Sequence, residues 1–299
     1  MWQTGPMSLE EIAPEATPAD TLSARIAADL GQALAEALSD RLDAVAEAVG
    51  EDDPTEMVHD VRKALKDYRA LLRLIPTAEA KAARTAASQI ARTLSAARDL
   101  KAAQDALEAL RDARLIGRAE ATAAAGLLAA EIPPDAALPE RDTVSAFLET
   151  ARAALADGLA AAAREADVLA GIAKGYRQAR KSPDWSLPVA IHELRKRVVI
   201  HRYQMSFIAA FAGTGAGRAR KAQRLRDVLG LHQDIEALKP RLASALGTEH
   251  EALISDVAGA AREMQGRLIK EAKARHAALF QRPGRAFAAR LSERIAAPR

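Results

Sequence analysis

Apolar residues recur three and four positions apart along most of this chain, the spacing of an amphipathic helix, and clusters of Gly, Pro and Asp interrupt the pattern. Residues 1–20 are rich in Pro and read as a flexible N-terminal tail. A first helix is predicted from Thr21 to Val49, ended by the GEDDP stretch from Gly50 to Pro54. A second runs from Thr55 to Ile75 and stops before Pro76. Thr77 to Arg114 is helical with a break near Arg98 and Asp99, and an alanine-rich helix covers Arg118 to Ile132. Residues 133–140 hold three prolines in eight positions and form a linker, because Pro cannot donate to a helix or continue one. Beyond it the pattern predicts one long helix from Arg141 to Lys181, then helices over Leu187 to Phe211, Arg218 to Leu229, Gln233 to Leu246 and Glu249 to Phe280. Residues 286–299 are expected to trail as a frayed C-terminal tail. The resulting fold is all-α, in two lobes (21–132 and 141–285) of about four helices each.

Composition supports that class. Aromatic residues make up only 3% of the chain, while Ala, Leu, Arg, Glu and Lys abound, so strand formers are scarce. The absence of Cys excludes a disulfide framework, a zinc–thiolate site and a thiol nucleophile, and fits a reducing compartment. No basic-then-apolar leader and no long uncharged apolar run occur, so the expected location is the cytoplasm, with no membrane partner. Net charge is only +3, from 43 Lys and Arg against 40 Asp and Glu. Bulk charge therefore does not mark a polyanion binder, and any such signal lies in the placement of the cations.

That placement repeats. His59 to Ile75 reads HDVRKALKDYRALLRLI, and His192 to Ile208 reads HELRKRVVIHRYQMSFI, with His, Arg, Lys, Arg and Ile coinciding without a gap. A second echo pairs LSAARD (Leu94 to Asp99) with LGLHQD (Leu229 to Asp234) at a slightly larger offset, as a duplicated helical unit would show. At about 100° per residue, His59, Arg62, Lys63, Lys66, Arg69 and Arg73 fall within an arc of roughly 120°, opposite Val58, Val61, Leu65, Tyr68, Leu72 and Ile75. In the second copy His192, Arg195, Lys196 and Arg202 keep the arc, while Val199 and Ser206 replace cations. The next helices add Lys81, Arg84 and Arg92 in the first half, and Arg218, Arg220, Lys221, Arg224 and Arg226 in the second. Two adjacent helices per lobe would then line one groove.

A charged arc opposite an apolar one is also the ordinary dress of a solvated surface helix. Recurrence of the same residue types at the same spacing is what distinguishes this pair, since solvation demands no such match. His201 falls on the apolar side as a core histidine, and His232, His250 and His276 share no constellation. The GTGAG stretch, Gly213 to Gly217, follows a helix and lacks the GK[ST] ending of a phosphate loop, so it reads as a turn. Nothing in the spacing implies a metal or a cofactor.

At these residues the chain resembles the CHAD family, the conserved-histidine α-helical domains, whose mark is a His-led helix with following Arg and Lys in each of two halves. His59 to Arg73 and His192 to Arg202 carry the likeness, which spans roughly Thr21 to Phe280. The resemblance implies two helical bundles related by a pseudo-twofold axis around a basic groove or pore that binds inorganic polyphosphate. It implies a non-catalytic module, one associated with polyphosphate granules, with a site drawn from His59, Arg62, Lys63, Lys66, Arg69, Arg73, Arg84, Arg92, His192, Arg195, Lys196, Arg202, Arg220, Lys221 and Arg224. Val199 and Ser206 depart from the pattern, so the first copy is expected to dominate. Two alternatives stay open: phosphoryl transfer or polyphosphate hydrolysis using Asp60, Asp99 and Asp234, and nucleic-acid binding, for which the arcs lack interleaved aromatics. The oligomeric state is left open by the sequence.

Overall fold

A computed structural model describes residues 18–94, 96–130, 141–161, 163–243 and 249–296. Among them are eleven α-helices and no strand, so the fold is all-α. The expected tail up to residue 17 and the Pro-rich linker at 133–140 lie outside the described residues.

Helix α1 (Pro18–Val49) carries Leu30, Leu34, Leu38, Leu42 and Val45 as a stripe of fully buried side chains. Helix α2 (Pro54–Leu71) starts where the sequence supplies both start signals. The Asp53 carboxylate accepts the Thr55 N–H at 2.7 Å, and Pro54 occupies a first-turn position whose N–H needs no partner. A 3₁₀ turn at Leu72–Leu74 ends it, and Thr77 caps α3 (Ala78–Thr93) by accepting from Ala80 N–H at 3.2 Å. Helices α4 (Ala96–Asp112) and α5 (Arg118–Ala130) complete the first half. Helix α3 ends at Thr93 and α4 begins at Ala96, a few positions before the Arg98-Asp99 break that was expected.

Three expectations fail in the second half. The single long helix from Arg141 to Lys181 is two, α6 (Arg141–Ala156) and α7 (Glu165–Arg180). Gly158 sits at φ +85° between them, and the Leu159 N–H reaches back to the Ala154 carbonyl at 3.1 Å, a glycine-dependent helix ending. The turn brings Leu159, Ala160 and Ala163 into the core, where the Ala163 carbonyl lies so close to Gly31 of α1 that a Cβ there would stand 3.3 Å away. Conversely, the helices predicted over Arg218 to Leu229 and Gln233 to Leu246 are one, α9 (Ala216–Ala243), which runs through Gly230 and Pro240. It follows α8 (Pro188–Ala212), whose end is set by Gly213 at φ +63°. Finally, beyond α10 (Glu251–Leu279), the expected frayed tail forms α11 (Gly284–Ala296), held by buried Phe287, Leu291 and Ile295.

The buried side chains form two apolar cores. The larger gathers α1, α2, α3, α6, α7, α8, the first half of α9, the last turns of α10 and α11. The smaller gathers α4, α5, the second half of α9 and the first half of α10. Each core therefore draws on both halves of the chain. A 28-residue helix is about 42 Å long, and α9 uses that length to place Ala219, Ala222, Leu225 and Leu229 in one core and Ile235, Leu238 and Leu242 in the other. Helix α2 packs on α1 and α8, and α8 packs on α9, which brings the two His-led helices together.

Candidate functional site

The apolar sides of α2 and α8 turn inward as their sequences require. Val58, Val61, Leu65 and Tyr68 are buried on α2, as are Leu194, Val198, His201 and Ile208 on α8. Opposite them, a cleft of ≈ 260 Å³ opens between α2, α8 and α9. His59, Arg62, Lys63 and Lys66 of α2 line one wall, and Arg202, Tyr203, Gln223 and Arg226 line the other. No carboxylate among the described residues lines it. The two copies of the repeat thus share one cleft across the halves, lined by α2 from the first and by α8 and α9 from the second.

Several of its cations are held in place. Arg62 donates to the Ala91 carbonyl of α3. The Arg202 guanidinium lies over the Tyr203 ring, 4.5 Å from its centroid, a cation–π contact that covers the ring face. Lys63 pairs with Asp60 at 3.4 Å, one turn away. Lys196 and Glu193 hold the equivalent positions in the second copy and pair at 2.7 Å. Arg226 pairs with Asp227 at 2.9 Å.

A second group of predicted cations stands beside the cleft on the α3 side. Arg69 and Arg73 both have their pKa lowered, first by partial loss of solvent and then by like charges: Arg84 and Arg92 act on Arg69, and Arg84 and Arg69 on Arg73. With Arg84 and Arg92 beside Arg69 and Arg73, four guanidiniums form a concentrated positive field, relieved by a bound anion. On the far flank of α2 the sign changes. A neighbouring cleft of ≈ 350 Å³ shares Lys63, Arg202 and Tyr203 but is edged by Glu47, Glu51, Asp60 and Asp67. Asp67 accepts from Arg41 at 3.1 Å. Its pKa is raised by burial, against the opposing pull of Arg41 and Arg202.

The remaining predicted residues lie elsewhere. His192 and Arg195 converge on the Gln233 side-chain oxygen, at 2.6 and 3.1 Å, along the α8–α9 seam. The Arg195 guanidinium lies flat on α9 at Gly230, where a Cβ would approach it to 3.4 Å. Arg220, Lys221 and Arg224 are exposed on α9 and do not line the cleft. Their neighbour Arg226 does, together with Gln223 and Tyr203. A helical count from Arg226 would have found it, since Gln223, Gly230 and Gln233 share its face while Arg220 and Arg224 point away. His201 is fully buried, as its position on the arc foretold, and burial together with Arg218 lowers its pKa to about 3.

The CHAD domain family matches residues 32–243, most of the chain. The protein belongs to the CHAD family. The match contains both His-led helices, the α3 arginines and the whole of the basic cleft. No curated protein matches the chain. Among the described residues no three His, Asp or Glu side chains are grouped as around a metal ion, and no helix is long and apolar enough to cross a membrane.

Proposed function

We propose that this CHAD protein binds inorganic polyphosphate without cleaving it, along the basic cleft between α2, α8 and α9 and onto the Arg69, Arg73, Arg84 and Arg92 cluster. The observation that carries this reading is the junction of the two repeat copies in one cleft, with His59, Arg62 and Lys66 facing Arg202 and no carboxylate among the described residues in its lining. Arg forks suit non-bridging phosphate oxygens, and Lys adds less directional charge. The acidic edge beyond Lys63 and Arg202 repels a polyanion and favours a path toward α3.

The same geometry weighs against base recognition. Single-stranded nucleic acids are gripped by stacking on open aromatic faces. Tyr68 is buried, and Tyr203 has a face occupied by Arg202. Of the carboxylates considered for phosphoryl transfer, Asp60 is paired with Lys63, and the Asp99 side chain lies outside the described residues.

The test is a titration with long-chain polyphosphate at two salt concentrations, with assay of released phosphate and duplex DNA as a control. Tight, salt-sensitive binding that prefers polyphosphate and releases no phosphate supports the reading. Phosphate release, or equal affinity for DNA, refutes it.

A further inference from the structure

A second basic cleft lies at the turn that joins α8 to α9. Four arginines line it: Arg218 from the first turn of α9, Arg282 from the turn before α11, and Arg290 and Arg294 from α11 itself. Its volume is ≈ 220 Å³, and no carboxylate among the described residues contributes to its walls. The two clefts share no lining residue, so this one is distinct from the one above. Arg282, Arg290 and Arg294 also fall beyond residue 243, outside the family match.

Two of the arginines are held in place. Arg218 donates to the Leu279 carbonyl at 2.8 Å and lies 5.0 Å from the Phe287 ring centroid and 5.2 Å from that of Tyr176. Arg294 donates to the Thr214 hydroxyl at 3.3 Å. Burial lowers the Arg218 pKa, with Tyr176 opposing and the like charge of Arg282 adding to the effect. Such an array costs stability until an anion enters.

The GTGAG turn supplies the rest of the wall. Gly215 sits at φ +110° against Met205, where a Cβ would come within 2.6 Å of the methionine methyl and 3.2 Å of its carbonyl oxygen. Only glycine fits that conformation and that approach. The Gly215 carbonyl accepts the N–H groups of both Arg218 and Ala219 at 2.9 Å, the first bonds of α9. The N–H groups just before them belong to the helix N-terminus, which has no acceptor of its own within the helix and carries the positive end of a 28-residue dipole. Gly217 has open space where a side chain would project, so this first turn is bare toward the cleft. The turn lacks a phosphate-loop motif, yet it presents the same physics.

We propose that the cleft between the α9 N-terminus and α11 binds a compact free phosphate anion of about pyrophosphate size, as a site independent of the groove. The volume equals roughly seven waters of liquid, enough for pyrophosphate. Arg290 and Arg294 grip its oxygens from one side, and Arg218, Arg282 and the α9 N-terminus do so from the other.

The experiment is calorimetric titration with pyrophosphate of the full chain, of R290Q/R294Q, of G217D and of the groove variant K66Q/R202Q. Gly217→Asp places a carboxylate in open space at a helix N-terminus, where it suits the dipole and leaves the fold intact. The expected result is saturable binding by the unaltered protein, weakened at least tenfold in R290Q/R294Q and G217D and preserved in K66Q/R202Q. Thermal stabilisation by pyrophosphate should disappear in the same two variants. Absence of pyrophosphate binding overturns the proposal, as does binding that survives in G217D and R290Q/R294Q. Loss in K66Q/R202Q alone would place pyrophosphate in the groove and overturn this site while sparing the polyphosphate reading. Failure of long-chain polyphosphate to bind would refute that reading and leave this test standing.

Discussion

Salt dependence gives a ruler for the length of the polyphosphate path. Each phosphate charge neutralised by a fixed cation releases condensed counterions, and a single-stranded polyanion loses affinity with a logarithmic salt slope of about −0.7 per contact. The cleft offers Arg62, Lys63, Lys66, Arg202 and Arg226. If the polymer stops there, the slope is about −3.5, and raising salt from 50 to 200 mM weakens binding about 100-fold. If it continues over Arg69, Arg73, Arg84 and Arg92, the slope approaches −6, and the same change costs several thousandfold, by the rough arithmetic of counterion release. The decisive perturbation is R84Q/R92Q on α3, beside the cleft but outside its lining. Fluorescence-anisotropy titrations with labelled long-chain polyphosphate over that range should show the slope flatten by about 1.4. A slope that R84Q/R92Q leaves unchanged refutes the extended path. A slope near zero in the unaltered protein refutes the electrostatic account altogether.

Other expectations follow from single sites. D67N removes a carboxylate beside Arg202 and keeps a side chain able to accept from Arg41, so polyphosphate affinity should rise severalfold. Weaker binding would mean Asp67 orients Arg202 more than it neutralises it. His201 is buried with no hydrogen-bond partner at either ring nitrogen, and its folded pKa of about 3 lies below the ordinary value of 6.5. The unfolded chain therefore takes up the proton first as pH falls, and stability is lost between about pH 6.5 and 3, by about 2 kcal/mol from pH 7 to 5. H201L should remove that part of the loss without lowering stability at pH 7, as chemical denaturation at the two pH values would show; an identical pH dependence in both proteins contradicts it. G215A should destabilise the fold by more than about 1 kcal/mol through its positive φ and the collision with Met205; an unchanged melting temperature would count against that reading.

The all-α class and the starts of α2 and α3 were legible because apolar spacing, Asp53, Pro54 and Thr77 all agree. The His-led arcs were legible because their duplication is written in residue types at fixed spacing. The α6–α7 break was not: Asp157-Gly158 is a faint interruption in an alanine-rich run, and the turn is fixed by packing of Ala160 and Ala163 against Gly31 of α1. Gly230 misled in the other direction. It looked like a helix end but is the flat surface on which Arg195 rests. A basic groove between the two halves was expected from the likeness to the CHAD family, but the exact lining of the cleft was not legible. It depends on α2 meeting α8 and α9 across more than a hundred residues of chain, and that contact selects Arg226 while leaving Arg220, Lys221 and Arg224 outside.

The way α9 and α10 cross both apolar cores bears on how this molecule is inherited and handled as a unit. Duplicated halves invite the idea that either, cut free at residues 133–140, would stand as a smaller binding module. Here each fragment would carry half of two unfinished cores: the first would expose the α1 leucine stripe and the α4 face, and the second the inner sides of α9 and α10. The two halves are joined in the manner of an obligate dimer fused into one chain. Co-expressed halves should reconstitute, whereas either alone should be taken by proteases.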